Sequence, residues 1–482
     1  MLQPANSPNA QPPAAAPVAR LTVLRGPLLI AAGGLMLAWP AIYNGYPLLW
    51  FDSCRYLLAP WHDYVAEMRS PFYGLAIAPL VALASEWAIV AAQSAIVAAM
   101  IFLVLRTTLG RLGAWSYLLQ VGLLALLTGV SWHSSLVMAD IFAGVLPLGI
   151  FLLAFVRDRL AWWERAFVFA VTCLASLVHY SHLLLVAAIA ISASIVLLLE
   201  RRPPRQVAVS AACCLAVVAI TIVAHMSLQW RWQSKLQISP NGSLFLLARL
   251  VEDGPAKDYL ARECPAANFV LCKFVNDMPM PAARFLWWDD GPVKNLGGPQ
   301  VISTEAEVIV AGALRQEPLR FAWLSLGHTL RQLVLFRMDE VRDFSTRSKG
   351  WWDCAADTKV YLPGEYTGLV QSRQSNAGLG MDALFFLQVL TVIVTSVLLL
   401  ALVCTNPQLR AERRFREMAW LVLVTLVANA AICGALSEPD ARYQSRVIWL
   451  LPMLFFMAAR SAVNAWRTGD RLTLVIGRPG GA

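Results

Sequence analysis

Residues 166–205 read AFVFAVTCLASLVHYSHLLLVAAIAISASIVLLLERRPPR, an apolar stretch interrupted only by His179-Tyr-Ser-His182 and closed by three arginines. A lipid core about 30 Å thick takes roughly 20 helical residues to cross, so residues 166–199 fit either one long tilted helix or a hairpin of two short ones. Charge separates the two. A single span would put Arg201, Arg202 and Arg205 on the opposite side from Arg157, Arg159 and Arg165, whereas Lys and Arg collect on the cytoplasmic side of a membrane protein. Two spans, 166–178 and 183–199, with the His-Tyr-Ser-His turn outside, keep all six arginines together.

The same rule extends outward along the chain. Apolar spans are drawn at 26–43, 87–105, 115–131, 139–156, 207–228, 381–404, 418–436 and 447–463, which with the hairpin makes about ten. The connections carrying Arg106, Arg111, Arg157–Arg165, Arg201–Arg205 and Arg410–Arg416 then share one side with both termini, and that side is assigned to the cytoplasm. The 482 residues are 58% hydrophobic and 14% charged, with a mean hydropathy of +0.58, against about 25% charged in soluble domains. A helix of fourteen largely apolar residues after Ser70-Pro71 has favourable Ser and Pro start signals. It is short for a span and is expected at the interface or as a re-entrant segment.

Residues 229–380 have another composition. All six lysines (235, 257, 273, 294, 349 and 359) lie there, and its basic and acidic residues nearly balance, so the net charge of +9 belongs to the membrane part and does not form a nucleic-acid patch. Turn signals at Pro240-Asn-Gly, Asp253-Gly-Pro and Asp289-Asp-Gly-Pro, with an amphipathic helix over 318–336, suggest a mixed α/β domain. The expected organisation is a disordered cytoplasmic tail at 1–20, about seven helices in 21–228, the inserted extracytoplasmic domain at 229–380, about three helices in 381–463, and a cytoplasmic tail at 464–482. Cys173, Cys213, Cys214, Cys404 and Cys433 sit in apolar runs and read as small core residues. Outside the cytoplasm thiols tend to oxidise; Cys264 with Cys272 is the expected local bridge, and Cys54 with Cys354 a looser one.

Four arginines, Arg55, Arg69, Arg442 and Arg446, fall on the external side against the charge bias. Asp52 follows the first span, with Arg55 and Tyr56 nearby and Arg69 and Tyr73 closing the loop. A partly buried carboxylate there suits a general base, or it is a solvated loop acid or a helix N-cap. Asp140 opens the fourth span beyond His133; it is a functional acid at membrane depth or a complement to the helix dipole. His179 and His182 can join Asp52 or Asp140 in holding a divalent metal ion, or simply hydrogen-bond in an interfacial turn. Arg442 and Arg446 suit bidentate phosphate recognition, with pairing to Glu438 or Asp440 as the alternative. Asn241-Gly-Ser243 formally fits a glycosylation acceptor.

Asp52 with Tyr56, Ser70-Pro71-Phe-Tyr73, Asp140, and Arg442-Tyr443 followed by Pro452 together resemble the polyprenyl-phosphate-dependent glycosyltransferases of the GT-C fold. That superfamily carries an acidic motif after the first helix, a Pro-containing stretch later in that loop, a second acid opening a helix, and an Arg-Tyr…Pro pattern late in the chain. Ser53 stands where many members pair a second acid with the first. The resemblance implies inverting transfer of a sugar from a polyprenyl-phosphate donor to a glycan, lipid or protein acceptor, in a bacterial inner (plasma) membrane with 229–380 periplasmic or extracellular. Asp52 and Asp140 would be the catalytic acids. Arg55, Tyr56, Arg69, Tyr73, His133, His179, His182, Arg442, Tyr443 and Arg446 would face substrate. A transporter or flippase of a lipid-linked or small solute, and a non-enzymatic envelope assembly protein, are the rival classes; the former lacks paired Gly/Pro-broken helices in corresponding halves.

Overall fold

A computed structural model describes residues 18–58, 68–83, 85–109, 112–338, 349–376 and 378–467, with side chains left undescribed at 18–24, 349–353 and 464–467. Most of both expected tails lies outside the described residues. The chain forms an α-helical membrane protein. Among the described residues six helices are long and apolar enough to cross a membrane: Glu86–Leu109, Tyr180–Leu199, Pro204–Gln233, Asp382–Thr405, Arg413–Leu436 and Ala441–Val463, the last broken near Trp449. Shorter apolar helices stand at Arg25–Leu37, Phe72–Leu83, Ala114–Leu127 and Ile141–Ala154. The stretch 166–199 is broken where the charge pattern requires, into helices Trp162–Leu177 and Tyr180–Leu199. His179 makes the break, its Nδ1 accepting from the Ser181 main-chain N–H at 3.2 Å.

Ile141–Ala154 is the central helix, every residue of it buried. Its neighbours close around it, which is why Pro147 is tolerated inside: surrounding groups in a bundle re-satisfy a backbone that proline interrupts. Lipid tails are as apolar as Leu, so helices here associate through close packing and interhelical hydrogen bonds. A Cβ on Gly144 would come within 2.7 Å of the Trp449 ring, so only glycine lets that indole approach the central helix this closely. Ser210 Oγ donates to the Ala154 carbonyl at 2.8 Å, Trp420 Nε1 to Ser192 Oγ at 2.6 Å, and the Ser176 and Thr221 hydroxyls meet at 2.5 Å.

The arginine-rich connections meet at one end of the bundle. Arg106 grips Glu164 through two 2.7 Å hydrogen bonds; Arg202 pairs with Glu417, and Arg416 reaches Glu200 at 3.5 Å. The loop after the first span lies at the other end and is stitched to the second loop: Leu48 N–H donates to Ser135 O at 3.0 Å and Val137 N–H to Leu48 O at 2.9 Å.

The inserted segment corrects the expectation of a mixed α/β domain. Among its described residues it is helical and has no strand. The turn at Asp253-Gly-Pro joins two helices, Gly242–Asp253 and Pro255–Glu263, with Gly254 at φ +103, a left-handed backbone that glycine adopts without a Cβ penalty. Leu244, Leu247, Leu260, Phe285, Ile302 and Ile309 form a core separate from that of the bundle. Residues 354–376 do not belong to it. Cys354 and Leu369 are buried in the bundle's core, and Gln374 spans the first loop, accepting from Leu49 N–H at 3.1 Å and donating to Leu49 O at 3.0 Å. Cys264 is joined to Cys272 and Cys54 to Cys354, with Cα–Cα distances of 5.6 and 5.4 Å. Asn241 is buried, so it is not presented for glycosylation in this fold.

Candidate functional site: a cluster of acids and arginines

Both acids sit at the start of a helix, Asp52 before Ser53–Leu57 and Asp140 before Ile141–Ala154, yet neither side chain caps its helix. They turn towards arginine. Arg69 Nε donates to Asp52 Oδ2 at 2.9 Å, and Arg446 Nη1 to Asp140 Oδ1 at 3.3 Å. Arg442 lies between the acids, Nη1 at 3.8 Å from Asp52 and Nε at 3.9 Å from Asp140. At that range it feels both charges but hydrogen-bonds neither. Among the described residues its Nε and Nη1, both buried, have no hydrogen-bond partner.

The helix Ala441–Ile448 sets two of the three guanidiniums, because residues four apart share one helical face. Asp440 caps this helix, accepting from Arg442 N–H at 2.8 Å. The pairing of Arg442 and Arg446 with the local acids is therefore replaced: Asp440 holds the backbone while both guanidiniums reach across to other loops. Arg446 is fully buried, and its Nη2 donates to Asn429 Oδ1 at 2.9 Å and to Ser181 Oγ at 3.3 Å. Tyr443 carries both arginines on its ring, each 5.2 Å from the centroid.

His133 Nε2 meets Ser445 Oγ at 3.0 Å, beneath this helix. His179 and His182 lie with rings 5.1 Å apart. His182 Nδ1 donates to Ala175 O at 2.7 Å, and its buried Nε2 has no partner among the described residues. Tyr56 and Tyr73 meet edge to face at 4.8 Å, and Tyr73 donates to Gln93 Oε1 at 2.7 Å. These two tyrosines pack the floor of the site. Arg55 points elsewhere: it is exposed on the short helix Ser53–Leu57, because helical geometry turns it away from the face that buries Cys54 and Tyr56.

Among the described residues no three His, Cys, Asp or Glu side chains gather to hold a metal ion. Asp140 is already engaged by Arg446, and Asp52 by Arg69. This donor set does not fit a divalent cation, and no step is routed through one. Three guanidiniums face Asp52 and Asp140, and Asp440 acts on Arg442 from the helix cap. Burial pushes the Asp52 carboxyl up, but Arg69 and then Arg442 outweigh it and hold it below its usual 3.8.

Sequence reading misses four contributors. Asn429, which clamps Arg446, is signalled only as a lone amide within an apolar span. Phe245 and Trp287 of the inserted segment lie 5.9 and 5.1 Å from the Arg69 guanidinium, and nothing in their local sequence announces it. Gln93 is likewise a single polar residue within a span; its amide donates to Ser134 O at 3.2 Å and to Leu136 O at 3.0 Å.

No family model matches the chain, and neither does any curated protein or solved structure. Helices and composition together define a multi-pass α-helical membrane protein.

Proposed function

We propose that this protein is a GT-C-type membrane glycosyltransferase, moving a sugar with inversion from a polyprenyl-phosphate donor to an extracytoplasmic acceptor hydroxyl. The observation that carries the reading is the cluster of half-buried Asp52, Arg69 and Arg442 with fully buried Asp140 and Arg446, in which the Nε and Nη1 atoms of Arg442 are buried and unbonded among the described residues. A cation with buried, unbonded donors favours an anion of matching geometry, and guanidinium suits phosphate.

In this mechanism Asp52 takes the proton from the acceptor hydroxyl. The oxygen attacks the anomeric carbon, the bond from that carbon to the phosphate oxygen breaks, and the electron pair leaves on the phosphate. Arg442 and Arg69 neutralise it, an effect that is larger where water is scarce. Asp140 is a positioning residue, holding Arg446 and facing Arg442. Ion-paired, Asp52 is deprotonated at neutral pH but weakly basic. A donor phosphate that draws Arg442 and Arg69 towards itself weakens their pull on the carboxylate and raises its basicity when the acceptor is present.

The test is transfer in lipid nanodiscs from a synthetic polyprenyl-phosphate sugar. Asp52→Asn should lower the rate about 10²–10⁴-fold, the usual worth of a positioned base, with donor binding retained. Arg442→Ala should weaken donor binding. Donor binding unchanged in Arg442→Ala would remove the phosphate from this cluster.

A further inference from the structure

Helix Pro318–Val334 is inside out for a helix in water. A surface helix ordinarily turns its apolar stripe inward and its polar face to solvent. Here Leu319, Trp323, Leu326, Leu330 and Val334, spaced four, three, four and four apart, form one outward stripe, with Leu319 84% and Trp323 74% exposed. The side that faces protein carries Phe321 together with polar groups. Gln332 is fully buried, its amide donating to Asp440 O and its carbonyl accepting from Asp440 N–H, both at 2.8 Å. His328 Nε2 lies 3.1 Å from Asp253 Oδ1, and Arg320 Nη1 donates to Asp258 at 2.9 Å.

The surface on which this helix rests identifies what the stripe meets. Trp420, Leu423 and Val427 lie on one face of the span Arg413–Leu436 and are exposed. Gly434 continues that face two turns on, and it is covered by the helix: a Cβ there would sit 2.7 Å from the His328 carbonyl oxygen. The helix thus docks on the side of a membrane span that lipid contacts. Arg315 and Arg331, exposed on and beside it, are of the right sign for lipid phosphates, to which long basic side chains snorkel.

We infer that helix Pro318–Val334 is a lipid-embedded helix, its stripe Leu319/Trp323/Leu326/Leu330/Val334 buried in the acyl chains of the leaflet nearest the inserted segment. The occupant of the stripe is the glycerophospholipid bilayer, as for amphipathic helices with basic flanks. The helix seats the inserted segment on the membrane, at the height where Phe245 and Trp287 close over Arg69. This holds independently of the transferase reading, since it rests on polarity and packing alone.

The experiment places a nitroxide at Leu326→Cys, Trp323→Cys and Leu330→Cys, one at a time, in a chain whose five cysteines outside the disulfides are replaced. Glu307→Cys, on an exposed helical face of the inserted segment, is the water-facing control. In nanodiscs of phosphatidylethanolamine and phosphatidylglycerol, collisions with oxygen should exceed those with a water-soluble nickel chelate several-fold at the stripe positions, and the ratio should reverse at Glu307. Three sites keep the test alive should one variant fail to fold. Nickel access at the stripe equal to that at Glu307 would mean a water-facing helix. Exclusion of both reagents would mean a protein partner. Either result overturns the inference.

Discussion

Asp52 and Asp140 each stand where a helix begins, and each spends its carboxylate on an arginine from another loop. In sequence an acid at such a position reads equally as a cap, because cap preference is local and the distant partner is invisible. The arginines were legible for the opposite reason: a cation on the wrong side of the charge bias needs an explanation whatever its neighbours. Asn429 was not, since one amide in an apolar run gives no direction for its hydrogen bonds. Arg446→Ala should cost about 3–5 kcal/mol, the usual penalty for leaving a buried charge without its partner. Denaturant unfolding in nanodiscs reads this directly, and a loss within error of zero would mean Asp140 finds another partner. For Asp52 the sign follows from its lowered value: the stabilisation by Arg69 is fully present above 3.8 and is lost only as pH falls through the lower folded value. The dependence of kcat/KM for the donor on Asp52 ionisation should therefore be flat above about pH 5. An acid limb near neutrality that disappears in Asp52→Asn would show a carboxyl raised rather than lowered.

Helices were the easiest elements to read, because hydropathy and arginine placement are additive along the chain. The break at His179 illustrates this: charge demanded it, and the imidazole supplies the N-terminal hydrogen bond. The inserted segment was harder. Its Gly and Pro punctuation marks turns without saying what they join, and here they join helices. Whether a helix meets water or lipid is also hidden, since Pro318–Val334 has ordinary amphipathic spacing and only the structure shows its polarity inverted. Gly434→Ala tests that packing. The added methyl meets backbone 2.7 Å away, which a side-chain rotation cannot relieve, so a loss of about 1–3 kcal/mol is expected; unchanged unfolding would mean the two helices slide apart freely. Cys54→Ser removes the link between the first loop and residue 354. Such a loss typically costs about 2–5 kcal/mol, and a Tm equal to wild type would make the bridge dispensable.

At the scale of the molecule, charge is sorted between two ends. Ion pairs such as Arg106 with Glu164 and Arg202 with Glu417 lock one end, while the Asp52 cluster occupies the other beneath the inserted segment. The orientation proposed for this arrangement is testable through the lysines, all six of which lie in 229–380. A membrane-impermeant amine reagent should modify exposed Lys294 in intact cells; modification only after lysis would invert the topology. The most direct test of the central claim is sugar transfer by purified protein in nanodiscs, comparing wild type with Asp52→Asn on one polyprenyl-phosphate-linked sugar. Transfer by wild type and a fall of about 10²–10⁴-fold in the variant, with the variant still folded in the membrane and donor binding preserved, is the expected result. Equal transfer by both proteins would contradict it.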